Sequence, residues 1–169
     1  QFTRSTVHTV RDLTIVNLDG PASTSALYVN STGTVTIQNT ITDGFRTGVL
    51  FSTGTLHHDH NLHNDTTAYS GVSPGANDVI GAPLFTDRAN ADFTLQATSP
   101  AIGAGADLGV PIDYLHRARP AGLPQDIGAF ASAPPSALIL DRVTGALAAW
   151  STGRPLASAF TQAPADLPG

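Results

Sequence analysis

Hydrophobic and polar positions alternate along short stretches, and Gly, Asn, Asp and Ser separate them. This is the pattern of half-buried strands joined by turns. Residues 5–18 already read as strand, rich in Val, Thr and Ile. The stretches also repeat: "LTIVN" at 13–17, "VTIQN" at 35–39 and "HHDHN" at 57–61 set Asn17, Asn39 and Asn61 at intervals of 22 residues. A second register agrees, since "ALYVN" at 26–30 precedes "GVLFS" at 48–52 by the same 22. The "TGT" at 32–34 and 53–55 is 21 apart, so one turn carries a single-residue slip.

A period near 22 is too short for helix-pair repeats and suits one turn of a parallel β-helix. The expectation is an all-β, right-handed parallel β-helix (a solenoid) of about four coils between residues 5 and 95, followed by a loop-rich C-terminal closing region. The alternative is an antiparallel meander with coincidental spacing. In the solenoid the three asparagines stack as a ladder. Leu13, Ile15, Val35 and Ile37 face inward, and Thr14, Val16, Thr36 and Gln38 face outward. Residues 1–133 hold the coils and closing loops. Residues 134–152 form a hairpin (Asp141 to Gly145 as its turn) or a short helix with Ser136 as N-cap, packed on the solenoid through Leu138, Leu140, Leu147 and Trp150. Residues 153–169 form a flexible tail.

Composition sharpens this picture. The chain has no Cys, Met, Lys or Glu; all 8 cations are Arg, all 13 anions are Asp, and the net charge is −5. Missing Lys, Glu and Met removes strong helix formers. Missing Cys excludes disulfides and thiol chemistry. The acidic balance without basic clusters argues against nucleic acid, and no apolar run reaches the ~20 residues of a membrane span. The chain opens Gln1-Phe2-Thr3-Arg4, with neither an initiator Met nor a leader-like apolar segment. A strand starting so early suggests a fragment of a larger protein. The open N-terminal coil end it leaves would favour self-association.

From Asn61 onward a series of motifs carries a resemblance. Asp59-His60-Asn61-Leu62, Gly81-Ala82-Pro83-Leu84-Phe85, Asp92-Phe93-Thr94-Leu95, Ser99-Pro100-Ala101-Ile102, Arg119-Pro120 and Asp126-Ile127-Gly128-Ala129-Phe130 follow in order over about 70 residues. The region resembles the closing part of extracellular right-handed parallel β-helix proteins of the choice-of-anchor Q type. The resemblance implies the fold and an extracellular or bacterial cell-surface setting, without a single activity: related solenoids serve as polysaccharide lyases, glycosidases, adhesins and phage spikes. Gly103 and Ala131 depart from the family pattern, as do Tyr114, Leu115 and His116, which stand where a short Asp/Gly turn is usual. Arg119 and Asp126 are expected to pair and lock the closing loops.

Three sets of residues could carry chemistry. His57, His58, His60 and His63 fall within seven residues beside Asp59 and Asp65. By strand alternation His58 and His60 share a face and could present two imidazoles to a divalent metal such as zinc, with His63, His8 or His116 as a third ligand. The one-residue slip leaves open which face is exposed, and a polar coil face explains the same residues. Gly71-Val72-Ser73-Pro74-Gly75 matches G-x-S-x-G, which would use Ser73 with His63 and Asp65 or Asp78. Pro74, however, lacks the N–H an oxyanion hole needs after the nucleophile. The third set is Asp12, Asp43 and Asp65, with Arg11 and Arg46 nearby, on successive coils. Glycosidases and lyases need such carboxylates, and turns favour Asp equally. Asp87 to Asp92 could offer oxygens to calcium, or form Asx-turns. The functional expectation is a polysaccharide-related role, hydrolysis or lysis if catalytic. The competing class is a non-enzymatic surface, adhesion or glycan-binding module, and a weaker one is a metal-dependent or serine hydrolase.

Overall fold

The computed structural model describes residues 7–20, 24–119, 121–132, 138–140 and 147–149, the last two segments through their backbone. The chain divides into two compact units, residues 1–132 and 133–169. The first unit is built on one curled, six-stranded parallel sheet: β1 (Val7–Val16), β2 (Ser25–Asp43), β3 (Thr47–Asp59), β4 (Leu62–Asn64), β5 (Thr67–Ser70) and β6 (Val79–Ile80). Successive passes of the chain lie side by side. β1 flanks β2 on one edge; on the other edge β3 and then β4 flank it, and these are followed by β5 and β6.

The register confirms one repeat and corrects the other. Leu27 pairs with Val49 and Val29 with Phe51, an offset of 22. An irregularity between Val29 and Thr34 then shifts it, and Thr34 pairs with Thr55, the expected single-residue slip. β1, however, pairs with β2 at an offset of 27: Val10 opposes Ile37 and Leu13 opposes Thr40. The asparagine ladder therefore does not form as expected. The corner residues are Asp12, Asn39 and His60, all with left-handed backbone (φ 50°, 50° and 56°). Asn39 Nδ2 donates to Asp12 Oδ1 at 3.1 Å. Asn17 belongs to a different turn, where its side chain donates to the carbonyls of Gly20 and Gly44.

A left-handed residue breaks the alternation of a strand, and this rearranges the expected faces. Val35 and Ile37 point inward as expected. Leu13 does not, being 38% exposed. Val16, expected outside, packs against a buried cluster, and Thr14 lies against Gly128 under the closing loops. Two clusters fill the unit. Val29, Val35, Ile37, Val49 and Tyr69 occupy the inside of the curl. Ile41, Leu62, Phe85, Ala101 and Ile127 form the second, between β2–β4 and the closing loops. Both faces of β2 are thus covered beyond Asn39, which is why residues 39–43 are all buried while 34–38 alternate.

The closing region contains a short antiparallel pair, β7 (Phe85–Asp87) and β8 (Asp92–Leu95), around a 3-10 turn at Arg88–Asn90. Its fit depends on Gly128: a Cβ there would meet Ile41 Cδ1 at 2.7 Å and Thr14 Oγ1 at 2.8 Å. Gly128 N–H donates to Asn39 O at 2.9 Å, and Ala129 N–H to Thr14 Oγ1 at 3.0 Å. Arg119 locks the loops, but not through the Asp126 carboxylate. Its guanidinium donates to the carbonyls of Asp126 (2.9 Å) and Gly128 (2.6 Å). The Asp126 carboxylate accepts from the N–H groups of Gly103 and Ser132 instead.

In the second unit β9 (Leu138–Leu140) pairs antiparallel with β10 (Leu147–Ala149). The turn Asp141–Gly145, the Ser136 cap, the Trp150 contact and the tail 153–169 fall outside the described residues, as does Pro120.

Candidate functional site

Of the polar residues singled out by the sequence, His58, His63, Asp65 and Asp78 turn into the interior of the curled sheet, and most of the others lie at its corners or on its surface. Thr42, His63 and Asp65 meet in its interior, brought together because Thr42 and His63 are paired neighbours on β2 and β4. Thr42 Oγ1 donates to Asp65 Oδ2, so its lone pair accepts from His63 Nδ1, 2.6 Å away. Asp65 Oδ1 also accepts from Phe45 N–H at 2.9 Å. A Cβ on the facing Gly48 would stand 2.6 Å from both Asp65 Oδ2 and His63 Nδ1. Glycine at that position is what leaves room for the cluster.

The residue types are those of a hydroxyl–imidazole–carboxylate triad, but the connections differ. A triad needs the hydroxyl on one ring nitrogen and the carboxylate on the other. Here hydroxyl and carboxylate bond each other, Nδ1 faces both, and Nε2 is buried without a partner. The side chains of His63 and Asp65 have no solvent exposure. The cluster ties neighbouring passes together.

A second interior cluster surrounds Asp78. Its carboxylate accepts from Tyr69 OH (2.7 Å), Asn61 N–H (2.8 Å) and Gly75 N–H (2.7 Å), with His58 Nδ1 at 3.3 Å. Burial pushes the Asp78 carboxyl up, yet these hydrogen bonds outweigh it and hold it below the usual carboxylate range. Burial, then the bond to Asp78 and its charge, drive the Tyr69 phenol well above its ordinary value. The Asn61 side chain bonds Ile37 O and Thr40 N–H on the neighbouring pass, and the Tyr69 ring packs against both His58 and His63, each at 4.5 Å.

His58 and His60 therefore do not share a face. His58 turns inward to Asp78, whereas the left-handed backbone of His60 takes it to the corner. His57 is exposed opposite Thr36, His8 is exposed on β1, and His116 sits in an exposed turn. Among the described residues no three metal-ligating side chains converge.

The remaining candidates are dispersed. Asp12 Oδ1 serves the Asn39 corner. Asp43, almost fully buried, accepts from Arg88 Nε at 2.5 Å and Asn64 Nδ2 at 2.5 Å. Ser73 lies in an exposed turn, whereas His63 is fully buried. Asp87 accepts from Asn90 N–H and Nδ2, and Asp92 from Thr94, as Asx-turns do. Nor do the carboxylates line one groove. On the solvent-facing side of β1, β2 and β3, Thr9, Arg11, Thr36, Gln38, Thr55 and His57 accompany one carboxylate among the described residues, Asp59.

Thr42, Tyr69 and Asn77 take part in these networks without having stood out in the sequence. Thr and Tyr are ordinary strand residues, so nothing in the sequence marks them. Asn77 clamps Asp59 by two bonds, N–H to Oδ1 at 2.8 Å and Nδ2 to Oδ2 at 2.7 Å.

No helix among the described residues is long and apolar enough to cross a membrane. No protein-family model matches the chain, and comparison with curated proteins and with solved structures finds no match either.

Proposed function

We propose that the chain is a right-handed parallel β-helix of the choice-of-anchor Q type, acting outside the cell as a non-enzymatic, glycan-binding surface module. The parallel passes, the offsets of 21–22 residues at which most of β2 pairs with β3 and β4 (shortening to 20 at β5 and 17 at β6) and the covered closing face support the solenoid reading. The observation that carries the non-enzymatic reading is the place of the carboxylates. Glycosidases need two about 5–9.5 Å apart and open to substrate. Asp43, Asp65 and Asp78 are instead buried and consumed by hydrogen bonds, and the open sheet face offers Asp59 alone. Ser73 is exposed whereas His63 is fully buried, and His58 and His60 diverge.

The test is to incubate the purified chain with neutral and uronate-containing polysaccharides. Affinity electrophoresis then measures retention, and reducing ends and unsaturated-uronate absorbance measure cleavage. Retardation by at least one polysaccharide without new chain ends is expected. Cleavage that disappears in Asp59→Asn, or absence of any retardation, overturns the proposal.

A further inference from the structure

We infer that the cleft between the His60 corner and the loop Gly103–Gly105 binds one uncharged, hydroxyl-bearing ring, a single sugar unit, with His60 as its hydrogen-bond acceptor. The inference deepens the glycan-binding reading and rests on it. The cleft has a volume of about 460 Å³ and is lined by His60, Asn77, Gly103, Ala104, Gly105 and Pro124, within the usual range for small-molecule sites.

The ring of His60 is oriented from behind. Its Nδ1 is buried, 3.4 Å from Asp59 Oδ2 without a well-aligned bond, while the side chain as a whole is 28% exposed. Asp59 is itself fixed by the two bonds from Asn77. Burial raises its carboxyl, but the two Asn77 bonds and the His60 backbone N–H more than offset this and hold it below the usual range. In the neutral ring, a carboxylate 3.4 Å behind Nδ1 favours the tautomer with the proton on that nitrogen and leaves Nε2 as the acceptor. Nε2 then turns a lone pair toward the cleft, a position that asks its ligand for a donor.

The opposite wall is anchored and left open. Asn39 grips the peptide of Ala106 from both sides, accepting from its N–H at 2.9 Å and donating to its carbonyl at 2.8 Å. Gly103, at φ +66°, has no atom within 4 Å of where a Cβ would stand. Pro124 offers an apolar patch for ring C–H groups. The lining has no cation to receive an anion, and Asp59 behind the ring opposes one. A metal would find a single imidazole. A hydroxyl donor on a neutral ring fits this set.

The full chain is labelled with ¹⁵N and titrated with methyl glucoside, methyl mannoside and methyl galactoside, and separately with glucosamine and glucuronate. The expected result is a saturable shift of the His60 imidazole and of the Gly103 and Gly105 amides with at least one methyl hexoside. His60→Asn keeps a residue that tolerates the left-handed backbone, and Gly103→Asn fills the open space with another. His60→Asn should weaken that binding about tenfold through the loss of one polar contact, and Gly103→Asn about tenfold by occupying the cleft, while thermal unfolding stays in place. No saturable shift, equal binding by both variants, or tighter binding of glucosamine or glucuronate overturns the assignment. Polysaccharide retardation that persists in His60→Asn refutes the cleft and leaves the binding-module reading standing. A saturable hexoside shift without retardation by any polysaccharide does the reverse.

Discussion

Replacing Asn39 by Ala should be among the most damaging single changes in the first unit. The residue is fully buried at the corner where β2 turns. Its amide makes three bonds, to Asp12 Oδ1 and to both polar groups of the Ala106 peptide. Alanine removes all three and leaves partners unsatisfied, at about 1 kcal/mol each. It must also adopt φ +50°, which costs a residue with a Cβ about 1–2 kcal/mol. The loss should be about 4 kcal/mol, a large fraction of the ~5–15 kcal/mol that holds a domain folded. Asn39→Gly escapes the backbone strain and should recover about 1 kcal/mol of it. Asn39→Asp tolerates the backbone but cannot donate to Ala106 O and repels Asp12, so it should also destabilise. Urea unfolding followed by circular dichroism gives the free energies, and hydrogen exchange at Ala106 reports the local bond. An Asn39→Ala loss below about 1 kcal/mol, or Asn39→Gly no better than Asn39→Ala, would refute a corner locked by this amide.

Other consequences are equally specific. Because the Asp78 carboxyl is held below its unfolded value of about 3.9, its contribution to stability is present above that pH. The contribution fades as pH falls through the folded value. Asp78→Asn should therefore flatten the acid limb of a stability–pH curve; an unchanged limb would contradict the network. Gly48→Ala places a Cβ 2.6–2.7 Å from Asp65, His63 and Ala68 and should cost about 3 kcal/mol through overpacking, read as a lowered melting temperature; a neutral substitution would show that the Thr42–His63–Asp65 cluster can give way. Tyr69 should ionise only on unfolding, so Tyr69→Phe should remove the late component of an alkaline absorbance titration. A late component of the same size in that variant would assign it elsewhere.

The sequence exposed the β2-to-β3 repeat because both passes place Leu, Val and Phe at matching inward positions, and even the slip at "TGT" is physical. It misplaced the first pass. "LTIVN" resembles "VTIQN" closely, yet the turn after Val16 takes up five extra residues, and local similarity does not count residues in a turn. His60 was misassigned for a related reason. Asn61 looks like the corner residue, but its amide bonds the neighbouring pass while His60 bears the left-handed backbone. Alternation counted through that corner put His58 and His60 on one face. The interior networks stayed hidden because a buried Asp and a catalytic Asp have the same letter. What separates them is whether backbone N–H groups and neighbours consume the oxygens.

The stacking itself can be tested in a chain that has no cysteine of its own. Neighbouring parallel strands set Cα atoms about 4.8 Å apart, inside the about 4.4–6.8 Å that a disulfide spans. Thr36 lies beside Thr9 on one side and His57 on the other, whereas a uniform 22-residue repeat would put Thr14 in the place of Thr9. Double substitution to cysteine at Thr9 and Thr36, or at Thr36 and His57, should give an intramolecular disulfide under mild oxidation, with the pair at Thr14 and Thr36 remaining reduced. Oxidation of the Thr14–Thr36 pair in preference to Thr9–Thr36 would contradict the account of the fold.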